Sequence, residues 1–127
     1  MRYMMFIKHT EDYQGREIPA GLYEARGKFV EAGFKSGTLV STAGLMPTAK
    51  GHRVALRGGK INVIDGPFTE SKEIVGGFAV IDVKTEAEAL RLATEFMEIH
   101  RVHWPEFEGE CEVRPFEAEA QPPVQPL

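Results

Sequence analysis

A single cysteine, Cys111, stands in the 127 residues, so no disulfide can close within the chain. A lone thiol suits a reducing compartment, and a cytoplasmic protein is expected. No stretch approaches the roughly 20 consecutive apolar residues that a membrane-spanning helix needs. The opening "MRYMMFIKHT" reaches Lys8 before an apolar run long enough for a signal sequence can form. Positive charge is also scarce. Fifteen Lys and Arg against nineteen Asp and Glu leave a formal charge of -4, whereas a nucleic-acid binder needs a basic face to displace counterions. Only Arg53, Arg57 and Lys60 fall close together as a basic patch. Membrane and nucleic acid are therefore not the expected partners. A P-loop, a dinucleotide fingerprint and a G-x-S-x-G elbow are all missing, and "GLMPTAKGHR" lacks the strand–glycine–helix context. No cofactor is expected.

What the chain does have is a 43% apolar content, enough for one core in a domain of this length. The expected domain covers residues 1–117. The remainder, 118–127, is proline-rich and patternless, and reads as a disordered tail. "RYMMFIKH" is apolar on both alternating faces, as in a buried strand. Pro19 can open a helix in which Leu22, Ala25, Phe29, Ala32 and Gly33 recur at helical spacing, with Gly33 as the stop. A strand in "TLVST" follows. "RVALRGGKINVID" then predicts a hairpin about Gly58-Gly59. Its register sets Leu56 opposite Ile61 and Val54 opposite Val63, which makes one face wholly apolar. "GFAVIDV" predicts a central strand. Thr85 and Glu88 form a capping box for a second helix. That helix should place Ala89, Leu90, Ala93, Phe96 and Met97 on one face and fray between His100 and Trp104, ahead of Pro105. "CEVRPF" predicts the last strand.

The order β-α-β, hairpin, β-α-β predicts an α+β ferredoxin-like sandwich with a β-hairpin insertion. Two helices cover one face of the sheet. The other face, too apolar for water, predicts a homodimer through the open sheet face.

The run "DGPFTESKE" followed by "GGFAVIDV", with the ending "HRVHWPEFEGECEVRPF", resembles the DGPF-motif branch of the YCII-related (YciI-like) proteins. The resemblance extends from "RYMMFIKH" to "GECEVRPF". It implies an architecture of the dimeric α/β-barrel type. Some relatives are lyase-like enzymes acting on chlorinated aromatics through a histidine and an aspartate; others are domains associated with transcription regulation. The relatives' histidine lies on the first helix, and "AGLYEARGKFVEAG" contains none. The His–Asp pair therefore does not carry over to this sequence.

Candidate chemistry centres on two stretches. In the first, Asp65 precedes Gly66-Pro67 and is placed to cap the turn, which either only holds the turn or presents Glu70, Ser71 and Lys72 at a pocket mouth. In the second, "EIHRVHW", His100 and His103 lie three apart and share a helix face. A capping or surface role, acid–base chemistry and a metal site are all open to them, but H-x-x-H with no fixed third ligand does not define a metal centre. Trp104 is a packing anchor or a ligand wall. His9 and His52 sit at strand ends. Cys111 reads as a small buried hydrophobe with no base beside it.

Two functions follow. One is a cofactor-independent lyase or isomerase whose pocket lies between the sheet and the 65–73 loop. Asp65 or His100 would move the proton there, Lys72 would steady an oxyanion, and Glu70, Ser71, His103 and Trp104 would contact the small-molecule ligand. The other is a non-catalytic ligand-binding or protein-interaction module.

Overall fold

A computed structural model describes residues 1–10, 17–68 and 73–117. The described elements run β1 (Arg2–His9), α1 (Ala20–Ser36), β2 (Leu39–Gly44), β3 (His52–Arg57), β4 (Lys60–Asp65), β5 (Ile74–Asp82), α2 (Glu86–His103) and β6 (Glu110–Pro115), and a 3-10 turn lies at Thr48–Lys50. Four strands form a sheet in the order β2-β5-β1-β6, and β3 pairs with β4 in a separate two-stranded sheet. Every pairing is antiparallel. This is the ferredoxin-like α+β arrangement, with the hairpin as an insertion between the two β-α-β halves.

Alternation along β1 sorts the sheet into two faces. Tyr3 and Met5 pack into the core with Leu39, Ile81, Val83, Ala89 and Ala93, beneath the helices. Met4 and Phe6 face the other way, opposite Val80 and Phe78 of β5. That open face carries four half-buried apolar side chains and a Lys8–Glu112 ion pair at 3.0 Å.

The helices differ from expectation in three places. α1 does not stop at Gly33 but runs to Ser36, and Gly37 closes it at φ 80°. Gly33 serves a different purpose, because a Cβ there would come within 2.9 Å of the Leu39 Cβ. Its small size lets β2 pack close against α1. α2 remains helical through His103, with Trp104 as its C-cap, so Pro105 acts only beyond the helix end. Leu90 is 51% exposed, since the buried stripe runs through Ala89, Ala93 and His100. Leu92 packs against the core in its place. The capping box does form: Thr85 Oγ1 accepts from the Glu88 N–H at 3.2 Å. The Glu88 carboxylate reaches back to the Lys84 N–H, one residue earlier than the usual box.

The hairpin has its expected register, with Val54 opposite Val63 and Leu56 opposite Ile61. Gly58 and Gly59 both take positive φ, 57° and 76°, as a two-residue primed turn requires. The apolar face of the hairpin meets no core among the described residues: Val54, Leu56, Ile61 and Val63 are each about 70% exposed.

Candidate functional site

The D-G-P-F run is a structural clasp. Asp65 ends β4 and accepts a hydrogen bond from His52 Nδ1 at 2.8 Å, across the open end of the hairpin. The carboxylate therefore bonds across the ladder instead of capping its own turn. Gly66 donates its N–H to the Gly51 carbonyl at 3.0 Å. A Cβ at position 66 would fall 1.7 Å from the Thr48 carbonyl oxygen, so only glycine fits this approach. Phe68, 9% exposed, is the anchor; Thr48 Oγ1 accepts from its N–H at 3.3 Å, and the Arg53 guanidinium stacks 3.9 Å over its ring. The motif thus ties the hairpin base to the 48–51 turn. Glu70, Ser71 and Lys72 lie outside the described residues.

The cavity is elsewhere. A space of about 1120 Å³ opens between the helix layer and the covered face of the sheet, bounded by α1, α2, β1, β2 and β5. None of Asp65 to Phe68 lines it, whereas His100 and Trp104 do. Asp65 and His100 are thus not brought to one site.

His100 is 4% exposed and is the only buried polar side chain among the described residues. α2 puts it at the end of the stripe that begins with Ala89 and Ala93, so the periodicity that builds the core also drives an imidazole into the cavity wall. Its Nδ1 lies 2.9 Å from the Phe96 carbonyl. A carbonyl only accepts, so Nδ1 carries the proton and Nε2 is left with its lone pair. Burial, aided by the charges of Arg26 and His9, outweighs the Phe96 hydrogen bond and pushes the imidazole below its ordinary value. The ring is neutral at pH 7 and basic at Nε2.

Around it runs a chain of rings. Phe29 meets Phe96 at 5.5 Å, Phe96 meets His100 at 4.9 Å, His100 meets Phe107 at 5.0 Å, and Phe107 meets Trp104 at 5.3 Å. His9, at the end of β1, approaches Phe107 edge-on at 6.0 Å.

His103 does not join His100. Three helical steps leave the two rings roughly 60° apart around the axis, which is enough to straddle the cavity edge. His103 is exposed and sits against the first turn of α1, where a Cβ on Gly21 would come 2.9 Å from its Nδ1. His100 is buried and His103 exposed, so the two do not share a surface role; the described residues contain no group of three or more metal-ligating side chains. Cys111 is half-buried on β6, and burial raises its thiol to about 11.

Arg26 was not among the residues expected at the site, and His9 was expected only at a strand end; both line the cavity. Arg26 lies on α1, lines the cavity and is half-buried. Its position at i+4 from the buried Leu22 was the available signal, hidden by the habit of assigning arginines to the solvent face.

A family model described as YCII-related domain matches residues 1–99. An uncharacterized protein of Rhizobium meliloti is 36% identical over 82 residues, which is 65% of this chain and 63% of that relative. The aligned region thus spans somewhat less than two thirds of the relative's length.

Proposed function

The chain belongs to the YCII-related domain family, and from that premise we propose that its α/β cavity holds a small molecule against His100, which acts as a general base in a lyase or isomerase reaction. The observation that carries this reading is a buried imidazole on the cavity wall with its tautomer pinned by the Phe96 carbonyl and aromatic rings beside it. Proton abstraction needs a base that is already deprotonated at working pH, and burial supplies that. Nε2 takes the proton. The imidazolium then returns it at another atom of the ligand, giving isomerisation, or gives it to a departing group, giving elimination.

This assigns Asp65 to holding the loop rather than to moving the proton, because its carboxylate is bonded to His52 at the hairpin end. Trp104 serves as a wall of the ligand site. The D-G-P-F run supports placing the chain in the DGPF-motif branch of the family.

The test is solvent exchange. Unsaturated and hydroxylated small molecules incubated in D2O with wild-type protein should include members that gain deuterium. His100→Gln should slow that exchange by a factor of about 100 or more, the usual share of a positioned base. Exchange that survives the substitution would remove His100 from the chemistry.

A second reading, an interaction module without turnover, is favoured by one observation: the apolar hairpin face formed by Val54, Leu56, Ile61 and Val63 is exposed. Either reading accommodates a homodimer in which a second copy covers Met4, Phe6, Phe78 and Val80 on the open sheet face. Four clustered apolar side chains on an open sheet face are poorly suited to water.

A further inference from the structure

Two carboxylates share the cavity wall with His100, and both are engaged. Glu95 accepts from Arg91 at 2.7 Å, and Glu88 is held by the Lys84 N–H in the capping box. Arg26 is different. It lines the same cavity from α1 and is half-buried, yet no carboxylate pairs with it among the described residues. Withdrawing a guanidinium from water without an anionic partner is costly. Arginines that only lay an aliphatic stem along apolar surface keep the charged head in water. Here burial outweighs every other influence on the head group and pulls it below its ordinary value, with Tyr23 giving a partial offset.

The guanidinium also acts on the proposed base. Arg26 and His9 both disfavour a second positive charge at His100. Arg26 brings a positive charge to one end of the cavity, and the two described carboxylates of the cavity wall are already engaged. A ligand can bring the balancing negative charge. A planar fork of N–H donors suits a two-oxygen head, and a single arginine neutralises a single charge. The walls set the remaining shape: Phe29, Phe96, Phe107 and Trp104 present ring surfaces to the same space.

We infer that Arg26 is the anion-recognition residue of the cavity, and that its ligand is a monoanion with a carboxylate-type head and a flat apolar body lying against the rings near His100. This rests on the proposed use of the cavity as a ligand site, and it narrows the substrate class to small unsaturated acids. It also gives the anion a second role. Seated at Arg26, it offsets the charge that opposes protonation of His100 and so stabilises the imidazolium formed when the base has done its work.

The test uses two dyes that share one arene framework: 1-anilinonaphthalene-8-sulfonate, which carries an anionic head, and N-phenyl-1-naphthylamine, which does not. Each is titrated into the full chain by fluorescence, and its site is located by NMR shifts of the His100 and Phe107 ring protons. The hairpin methyls of Val54 and Leu56 serve as the comparison. The anionic dye should bind the cavity about tenfold more tightly than the neutral one, in keeping with a charge-assisted contact. Arg26→Gln should remove that advantage while leaving the neutral dye within about twofold, which also shows that the cavity is intact. Equal affinity of both dyes in the cavity, or an anionic-dye affinity untouched by Arg26→Gln, overturns the anion assignment alone. Shifts confined to the hairpin methyls for both dyes overturn the cavity as a ligand site, and the anion assignment with it.

Discussion

At the scale of single residues, the D-G-P-F run and His100 show how differently a motif and a lone side chain announce themselves. The motif is visible as a string, yet its work is steric. Gly66 exists to let two backbones approach, and Phe68 exists to be buried. Gly66→Ala should therefore destabilise the chain by about 2 kcal/mol or more, since the intruding Cβ meets backbone that cannot step aside. A urea midpoint measures this; an unchanged midpoint would show that the 48–51 turn yields freely. His100 was legible as a titratable group but not as a buried one, because a helix C-terminus ordinarily favours an exposed, charged histidine. Its depressed value also has a consequence for stability. The unfolded chain binds a proton near pH 6.5 while the folded chain resists until lower pH, so the folded state loses ground as pH falls below about 6.5. The loss is at most about 1.4 kcal/mol per pH unit. His100→Gln should flatten the decline between pH 7 and pH 5 in parallel urea titrations; equal slopes would mean the imidazole is not desolvated.

At the scale of elements, the strands and helices were legible because each carries its own period. Alternation in β1 and the glycine pair in the β3–β4 turn fix faces and register without reference to the rest of the chain. Thr85 and Glu88 mark the start of α2 in the same local way, and Thr85→Ala should cost about 1 kcal/mol by thermal or urea unfolding. What local pattern cannot carry is which neighbour an element meets. Gly33 reads as a stop signal when only α1 is in view; it is a packing site once β2 arrives beside it. The hairpin makes the same point in reverse. Its apolar face was read correctly, but nothing in the strand pattern says that the face stays exposed, with no core against it among the described residues.

At the scale of the whole molecule, the four-stranded order β2-β5-β1-β6 has one face against the helices and one that no described element covers. A protein that pairs through the uncovered face should sediment as a dimer. Phe6→Glu, which sets a charge at the centre of that face opposite Phe78, should shift it to monomer with its helical circular dichroism unchanged. Retained dimer in that variant would move the interface elsewhere, the exposed hairpin being the next surface to test. The cavity is also a property of the whole. It lies between layers and is lined from five elements, so no short stretch of sequence displays it. The candidate site was therefore legible one residue at a time, in His100 and Trp104. It stayed hidden as an arrangement, because Arg26 and His9 reach it from α1 and β1, far away along the chain.

The most direct test of the functional account is a nitrogen-15 NMR titration of His100 in the intact protein, alone and with the anionic dye. The expected result is the Nδ1–H tautomer, a midpoint below 6.5, and an upward movement of that midpoint when the anion is bound. An Nε2–H tautomer, or a midpoint at or above 6.5 in the free protein, would contradict a buried base waiting for its ligand.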